Sequence, residues 1–449
     1  MKYSFNVHFE KVGDFTNILL VEPKFPTRSK SRNHKNFLPI GLLKLASYYA
    51  RENDNVIQLV RGKTLPTEFE VPSLIEVTSL FTYWSEYVWD TVEFYRDQFP
   101  DSKETEIRVG GIYASLHFDE DIFKEKCNKY NVTPTKGVVA EAENYIPNYD
   151  LVMTDDNPID YQIIHTSRGC VRKCSFCGTW IIEPKFKSRK NIFPLIEDGL
   201  KKGLRNLVFY DNNLFYNPHM ENILKELIEL RKHKTIGWCE SQSGFDGRVL
   251  LKKPDLAALL KKAGFRNPRI AWDWGYSQWP EIKKQLDVLV NAGYNRNSIT
   301  IFMIYNWDLD FREMEKKRIK CLEWGVQISD CRYRPLNQLH DYYKPLRDQN
   351  DGKAYHINEN WTDAEVKQFR KNIRRQNICI RQNFKFHSKL LENKRYSKEE
   401  YHKLALMPLS ERKKYLPDLW LPGQINPPED RNKWSVEIVT KPDIPFPDG

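Results

Sequence analysis

From residue 161 onward, six short apolar runs alternate with amphipathic stretches. The runs are Tyr161–His165, Asn206–Tyr210, Thr235–Cys239, Arg269–Trp274, Ser298–Tyr305 and Val326–Ser329. Between them, segments near 192–202, 219–232, 254–263, 279–292 and 310–324 carry apolar residues at helical spacing. Repeated strand–helix units bring each strand back parallel to the one before it. In such arrangements functional groups gather where strands end. The first run feeds into Thr166-Ser167-Arg168-Gly169-Cys170-Val171-Arg172-Lys173-Cys174-Ser175-Phe176-Cys177-Gly178, which spaces three cysteines as Cys-x3-Cys-x2-Cys.

Eight cysteines in 449 residues fall into this spacing by chance roughly 0.003 times per chain, so the triple is a motif. Three thiolates on one short loop can hold three irons of a cubane iron–sulfur cluster and leave the fourth open to a small molecule. A purely electron-carrying cluster takes four cysteines, so an open iron points to chemistry at the cluster. A zinc knuckle is the competing reading. It would want a second Cys/His pair, and neither His165 nor Cys239 forms one. Arg168, Arg172 and Lys173 either offset the cluster's negative charge or are solvated loop cations. Cys239, Cys321, Cys331 and Cys379 are scattered and read as buried thiols, and His165 as a packed core residue.

Residues 15–140 alternate in the same way. Asn17–Val21, Asn55–Val60, Leu74–Leu80 and Glu106–Val109 read as strands, with helices over Pro39–Ala50 and Ser85–Gln98. The expectation is a doubly wound parallel sheet whose ligands collect beyond the carboxyl ends of its strands. Gly110 and Gly111 then lie on the binding edge, where glycines let a flat ring approach the backbone. Residues 141–160 read as an irregular connector with a turn at Asp155-Asp156-Asn157-Pro158. Near the other end, Thr362 caps a helix running to about Gln382. The last 35 residues are proline-rich.

The cysteine loop resembles the signature of the radical S-adenosylmethionine (SAM) superfamily. Leu19-Leu20-Val21-Glu22-Pro23, Leu38-Pro39-Ile40-Gly41-Leu42, Val109-Gly110-Gly111-Ile112-Tyr113-Ala114 and Ser167-Arg168-Gly169-Cys170 are similar to members with an N-terminal cobalamin-binding-like domain. The resemblance implies an α/β chain. A doubly wound, cobalamin-binding-like domain spans 1–140 and a connector 141–160. A partial (β/α)6 TIM-type barrel spans 161–339, and a mainly helical, basic extension 340–449.

It further implies a [4Fe-4S] cluster on Cys170, Cys174 and Cys177. The open iron of such a cluster chelates SAM, and an electron from the cluster releases a 5′-deoxyadenosyl radical. Phe176 then lies near the adenine. Asp211 and Asn212 supply acceptors for the SAM amino group, although an Asx turn closing the strand accounts for them equally. Gln242 reaches the SAM carboxylate or ribose, and Asp273, between two tryptophans, the ribose. Met303-Ile304-Tyr305 contacts adenine or is ordinary core. Arg332, Tyr333 and Arg334 line the substrate opening or pair with acids.

Cobalamin on Gly110 and Gly111 is left open, because the Asp-x-His-x-x-Gly motif whose histidine ligates cobalt in some relatives is absent. With cobalamin, methyl transfer to an unactivated carbon leads; without it, a hydrogen-abstraction rearrangement or ring modification. No catalytic acid or base stands out. An electron donor such as flavodoxin or ferredoxin is implied, with a small molecule or peptide as the favoured substrate.

RNA is the alternative substrate. The net charge is +10, and Lys367, Arg370, Lys371, Arg374, Arg375, Arg381, Lys385, Lys389, Lys394 and Arg395 are interleaved with Phe384 and Phe386. RNA methylthiotransferases carry three more cysteines in the N-terminal domain, where this chain has only Cys127. A third reading is a non-enzymatic iron–sulfur or zinc protein, which the alternation after the loop disfavours. No run approaches transmembrane length and the N-terminus lacks a signal-peptide core, so a cytoplasmic location and reduced thiols are expected.

Overall fold

Residues 16–27, 38–51, 55–153, 159–349, 353–392 and 397–428 are described by a computed structural model. The expected turn at Asp155–Pro158, Lys394, Arg395 and most of the proline-rich end lie outside them.

Among the described residues, five parallel strands come first: β1 (Asn17–Glu22), β2 (Val56–Arg61), β3 (Leu74–Ser79), β4 (Glu106–Gly111) and β5 (Val132–Pro134), in the order β2-β1-β3-β4-β5. This is a doubly wound order, and its switch point lies between β1 and β3. Side chains alternate across the sheet. Ile18 and Leu20 pack with Leu42, Ala46 and Tyr49 of α1 (Ile40–Tyr49) on one face. Leu19 and Val21 pack with Val88, Trp89 and Val92 of α2 (Ser85–Gln98) on the other. Burial on both faces explains why β1 reads as an unbroken apolar run. β5 and the two helices before it, α3 (Ile112–His117) and α4 (Asp121–Tyr130), were not foreseen.

At the end of β4, Gly111 takes φ +101°, and a Cβ there would lie 2.1 Å from the Ser79 carbonyl oxygen. Gly111→Ala is expected to cost about 1–3 kcal/mol. Gly41→Ala, with nothing within 4 Å of the new carbon, is the control and should be neutral or slightly stabilising in thermal unfolding.

The second unit has six parallel strands: β6 (Tyr161–Ile164), β7 (Asn206–Phe209), β8 (Cys239–Ser241), β9 (Arg269–Ala271), β10 (Thr300–Tyr305) and β11 (Gln327–Arg332). They form two three-stranded sheets, β8-β7-β6 and β9-β10-β11. Parallel bridges Cys239–Phe265 and Phe245–Ile270 link the two, so the strands follow in chain order as a partial barrel. Outside lie α5 (Phe193–Lys201), α6 (Met220–Lys232), α7 (Gly247–Lys252), α8 (Asp255–Lys262), α9 (Trp279–Asn291) and α10 (Phe311–Glu323).

The third strand is displaced from its expected position at 235–239. Lys234 turns with φ +55°, and a Cβ at Gly237 would lie 2.3 Å from Asn206 Oδ1. Gly237 N donates to the Arg205 carbonyl, but Trp238 N is taken by Asn206 Oδ1 at 3.1 Å, and the regular ladder runs from Cys239. In β10, Met303 and Tyr305 are buried against the helices, while Phe302 and Ile304 are half-buried on the opposite, interior face.

The C-terminal extension begins with α11 (Asp363–Gln382), opened by a capping box between Thr362 and Glu365. The helix packs on α10 and β11. Glu315 and Arg318 form a fully buried ion pair on α10, and Arg318 also donates to Gln376 Oε1 and to the carbonyls of Pro422 and Gln424. These bonds strap residues 422–424 onto the barrel. Among the described residues, no helix is long and apolar enough to cross a membrane.

Candidate functional site

The cysteine loop leaves the carboxyl end of β6 and is held by one buried acid. Asp211, just beyond β7, has no exposed surface. Its Oδ2 accepts from Thr166 N at 3.2 Å. Its Oδ1 accepts from Thr166 Oγ1 at 2.7 Å, Ser167 N at 2.5 Å and Ser167 Oγ at 2.7 Å. Burial raises its pKa and these four bonds pull it back. Asp211 thus anchors the loop, with both oxygens occupied. Its neighbour Asn212 is half-buried, with its amide against Thr179 Oγ1 at 3.4 Å and Glu183 Oε2 at 3.3 Å.

Gly169 turns the loop with φ +77°, where a Cβ would lie 2.6 Å from the Lys185 carbonyl oxygen. Cys170, Cys174 and Cys177 follow. All three are partly exposed, whereas Cys127, Cys239, Cys321 and Cys379 are buried. The Cys174 thiol is raised by burial first, and then by Cys177, Asp273 and Cys170, so the three sulfurs share one field. Among the described residues, no three His, Cys, Asp or Glu side chains converge tightly enough to share a single ion. Cluster ligands need not, because each thiolate of a cubane binds its own iron.

Two of the three loop cations are engaged. Arg172 pairs with Asp246 Oδ2 at 2.9 Å, and Arg168 with Glu183 Oε1 at 2.8 Å. Lys173 is exposed.

Phe176 is half-buried and packs against Trp307 at 5.1 Å and Trp274 at 6.2 Å. Trp274 remains 42% exposed, although Trp272 two residues earlier is fully buried. Asp273 lies between them. Burial pushes its pKa up to about 6, against the pull of Lys317. Lys317 is itself buried and lowered to about 8, and donates to the carbonyls of Trp272 and Trp274 at 2.8 Å each. Gln242, just past β8, sends its amide to Glu240 Oε1 at 3.2 Å. Phe176, Asp273 and Cys174 are therefore brought together. Trp307 joins them across 131 positions of sequence, which no local pattern signals.

A stability prediction follows from Asp273. Its folded pKa lies above the unfolded value near 4, so the folded chain pays for a buried charge above pH 6. That cost is relieved as the pH falls from about 6 toward 4. Cluster-free Asp273→Asn should be more stable than the parent at pH 7.5 by about 2 kcal/mol. The gap should close by about pH 4 in thermal melts.

Cys331 corrects the expectation of a buried thiol: it is exposed. Its neighbours in β11 explain why. Ile328 packs in the core, Asp330 faces Arg370 of α11, and Arg332 lies over Tyr343 and Tyr355. Strand alternation turns Cys331 the other way, into the barrel interior, within the field of Asp273. Arg332 and Arg334 both pair with Asp341, and Tyr333 lies 6.0 Å from Trp307.

Part of the basic segment pairs with acids within the protein, while Lys371, Arg381, Lys385 and Lys389 are exposed. Lys367 pairs with Asp363, Arg370 with Asp330 and Arg374 with Glu392. Phe386 is fully buried, and Phe384 stacks on Tyr401 at 4.2 Å, so neither is an open stacking platform.

Gly110 and Gly111 lie on the other side of the cysteine loop. They line a cleft of about 200 Å³ between the five-stranded sheet and the barrel. Its walls include Gly41 and Lys44 of α1, Thr78, residues 137–139 after β5, connector residues 142 and 143, and His165, Arg168 and Glu183. It therefore sits at the carboxyl edge of β3 and β4, the strand edge where ligands of such sheets collect, one strand beyond the β1–β3 switch point. The Arg168–Glu183 pair is a wall common to the cleft and the cysteine loop.

A family model described as the radical SAM superfamily matches residues 164–317, from the end of β6 into α10. No curated protein matches the chain. Among solved structures, the apo form of the cobalamin-dependent S-adenosylmethionine radical enzyme OxsB is 12% identical with a TM-score of 0.43, covering 82% of this chain and 56% of its own. The carboxyl transferase domain of Rhizobium etli pyruvate carboxylase is 11% identical with a TM-score of 0.20, covering 81% of this chain and 48% of its own. The chain thus spans about half the length of each, and neither likeness is close enough to speak to function. The motif, the strand that presents it and the matched segment agree: residues 164–317 of this chain are a radical SAM domain.

Proposed function

We propose that this protein cleaves SAM reductively at a [4Fe-4S] cluster and uses the resulting radical to modify an unactivated carbon. The observation that carries the reading is the loop at the end of β6, where three partly exposed thiols share one field and a buried carboxylate fixes the turn. When bound, the cluster and SAM supply a 5′-deoxyadenosyl radical. In this reading Cys170, Cys174 and Cys177 hold the iron. Phe176, with Trp274 and Trp307, faces the adenine. Asn212 rather than the occupied Asp211 accepts from the amino group, and Gln242 and Asp273 contact the carboxylate and ribose. An external donor such as flavodoxin or ferredoxin delivers the electron.

Cobalamin belongs to the same reading, with methyl transfer as the reaction. The cleft supports it. Bare backbone at Gly110–Gly111 offers a flat wall, and Lys44, Glu143, Arg168 and Glu183 supply polar partners for carboxamide arms. The space holds roughly seven waters, enough for part of a macrocycle that extends through the open side. A small molecule or peptide is the substrate class, because Phe384 and Phe386 are packed within the protein and offer no platform for stacking a base.

The test is anaerobic reconstitution with reductant and SAM, with and without cobalamin. 5′-Deoxyadenosine is expected in both, and S-adenosylhomocysteine only with cobalamin. S-adenosylhomocysteine absent under every condition, with 5′-deoxyadenosine present, would remove methyl transfer and leave hydrogen abstraction.

A further inference from the structure

His165 is the residue of the cleft that packing does not explain. It ends β6, directly before the cysteine loop, and is only 9% exposed. Its Nδ1 is enclosed and without a partner. Among the described residues neither ring nitrogen makes a hydrogen bond, and the ring's one aromatic contact is edge-on to Tyr210 at 6.3 Å. A buried polar group left this way costs on the order of 1–3 kcal/mol. Proteins tolerate such a group where a ligand will satisfy it.

The surroundings keep its lone pair available. Burial holds the ring neutral, reinforced by Arg168, Lys44 and Arg189. Neutral imidazole is the form that binds a metal. The cleft it lines has the side-chain-free backbone of Gly110–Gly111 in its walls. The imidazole and that bare backbone line one and the same cleft.

We propose that His165 is an axial nitrogen ligand to cobalt when a corrinoid occupies this cleft, a step that rests on the cobalamin reading above. A Co–N bond forms as a water leaves the cobalt, and no electron is transferred. The histidine comes from the barrel and not from the sheet domain, which is why the missing Asp-x-His-x-x-Gly motif does not decide the matter. Coordination here would link the corrinoid to the same strand end that presents the cluster cysteines.

The test uses the full chain, reconstituted anaerobically and loaded with cob(II)inamide. That probe lacks the nucleotide base, so any nitrogen on cobalt comes from the protein. Electron paramagnetic resonance should show each cobalt line split into a triplet. Labelling the protein with ¹⁵N-histidine should convert the triplets to doublets. His165→Phe should remove the splitting while cobinamide absorbance still reports binding. Bound cobinamide without nitrogen splitting overturns the ligation and leaves the cobalamin reading standing. Splitting that persists in His165→Phe assigns another ligand and also overturns it. Failure of both cobinamide and cobalamin to bind removes the cobalamin reading and this inference together. Should His165→Phe not fold, His165→Leu takes its place in the same measurement, because the label alone does not say which histidine ligates.

Discussion

Replacing any one of Cys170, Cys174 or Cys177 with alanine is expected to abolish 5′-deoxyadenosine formation and to lower iron and sulfide sharply after reconstitution. Three ligands leave one iron for SAM; two leave the cubane without enough thiolate to hold it. The fold itself should survive, because all three side chains are partly exposed and the loop is held by Asp211 and Gly169. Circular dichroism should therefore match the parent. Cys331→Ser is the matched control: its thiol is also accessible but lies on β11, and its iron content should equal the parent's. Full iron loading and product formation in any of the three loop variants would remove that cysteine from the ligand set.

Asp211→Ala should carry the second large effect, and on two readouts at once. The carboxylate accepts four bonds from Thr166 and Ser167 in a site closed to water. Alanine leaves those donors buried and unpaired, a cost on the order of 3 kcal/mol. The loop loses its registration to β7 at the same time, so iron loading should fall along with the melting temperature. Asp211→Asn keeps one acceptor oxygen and should lose less of both. A variant that binds SAM poorly while melting and loading iron like the parent would mean that Asp211 serves SAM directly and not the loop.

Asp211 shows where sequence reasoning ran short. Its position after β7 marked it as functional, but the sequence could not tell an acid that faces the ligand from one that faces the loop beneath it. That distinction depends on Thr166 and Ser167, 45 and 44 positions away, approaching from another strand. The regular elements were more legible. α2 lies over Ser85–Gln98 as its apolar spacing indicates, and Thr362 caps α11 with Glu365 three residues on. The third barrel strand starts later than its apolar run because Trp238 N is taken by the Asn206 side chain, 32 positions away, which the run itself does not signal. Cys331 was hidden for a different reason: a thiol in an open barrel is exposed only because the strands around it leave a space, and composition carries no trace of that space. Trp307 and His165 belong to the same class, being assembled by the fold and not by spacing.

The central claim is that SAM binds the iron the three cysteines leave open. Electron paramagnetic resonance of the reduced, reconstituted protein tests it most directly, recorded without SAM, with SAM, and with SAM carrying ¹⁷O in its carboxylate. The account predicts a cluster signal that changes on SAM addition and broadens or couples further with the ¹⁷O label. A cluster signal that stays the same, while equilibrium dialysis shows SAM bound to the protein, would contradict it.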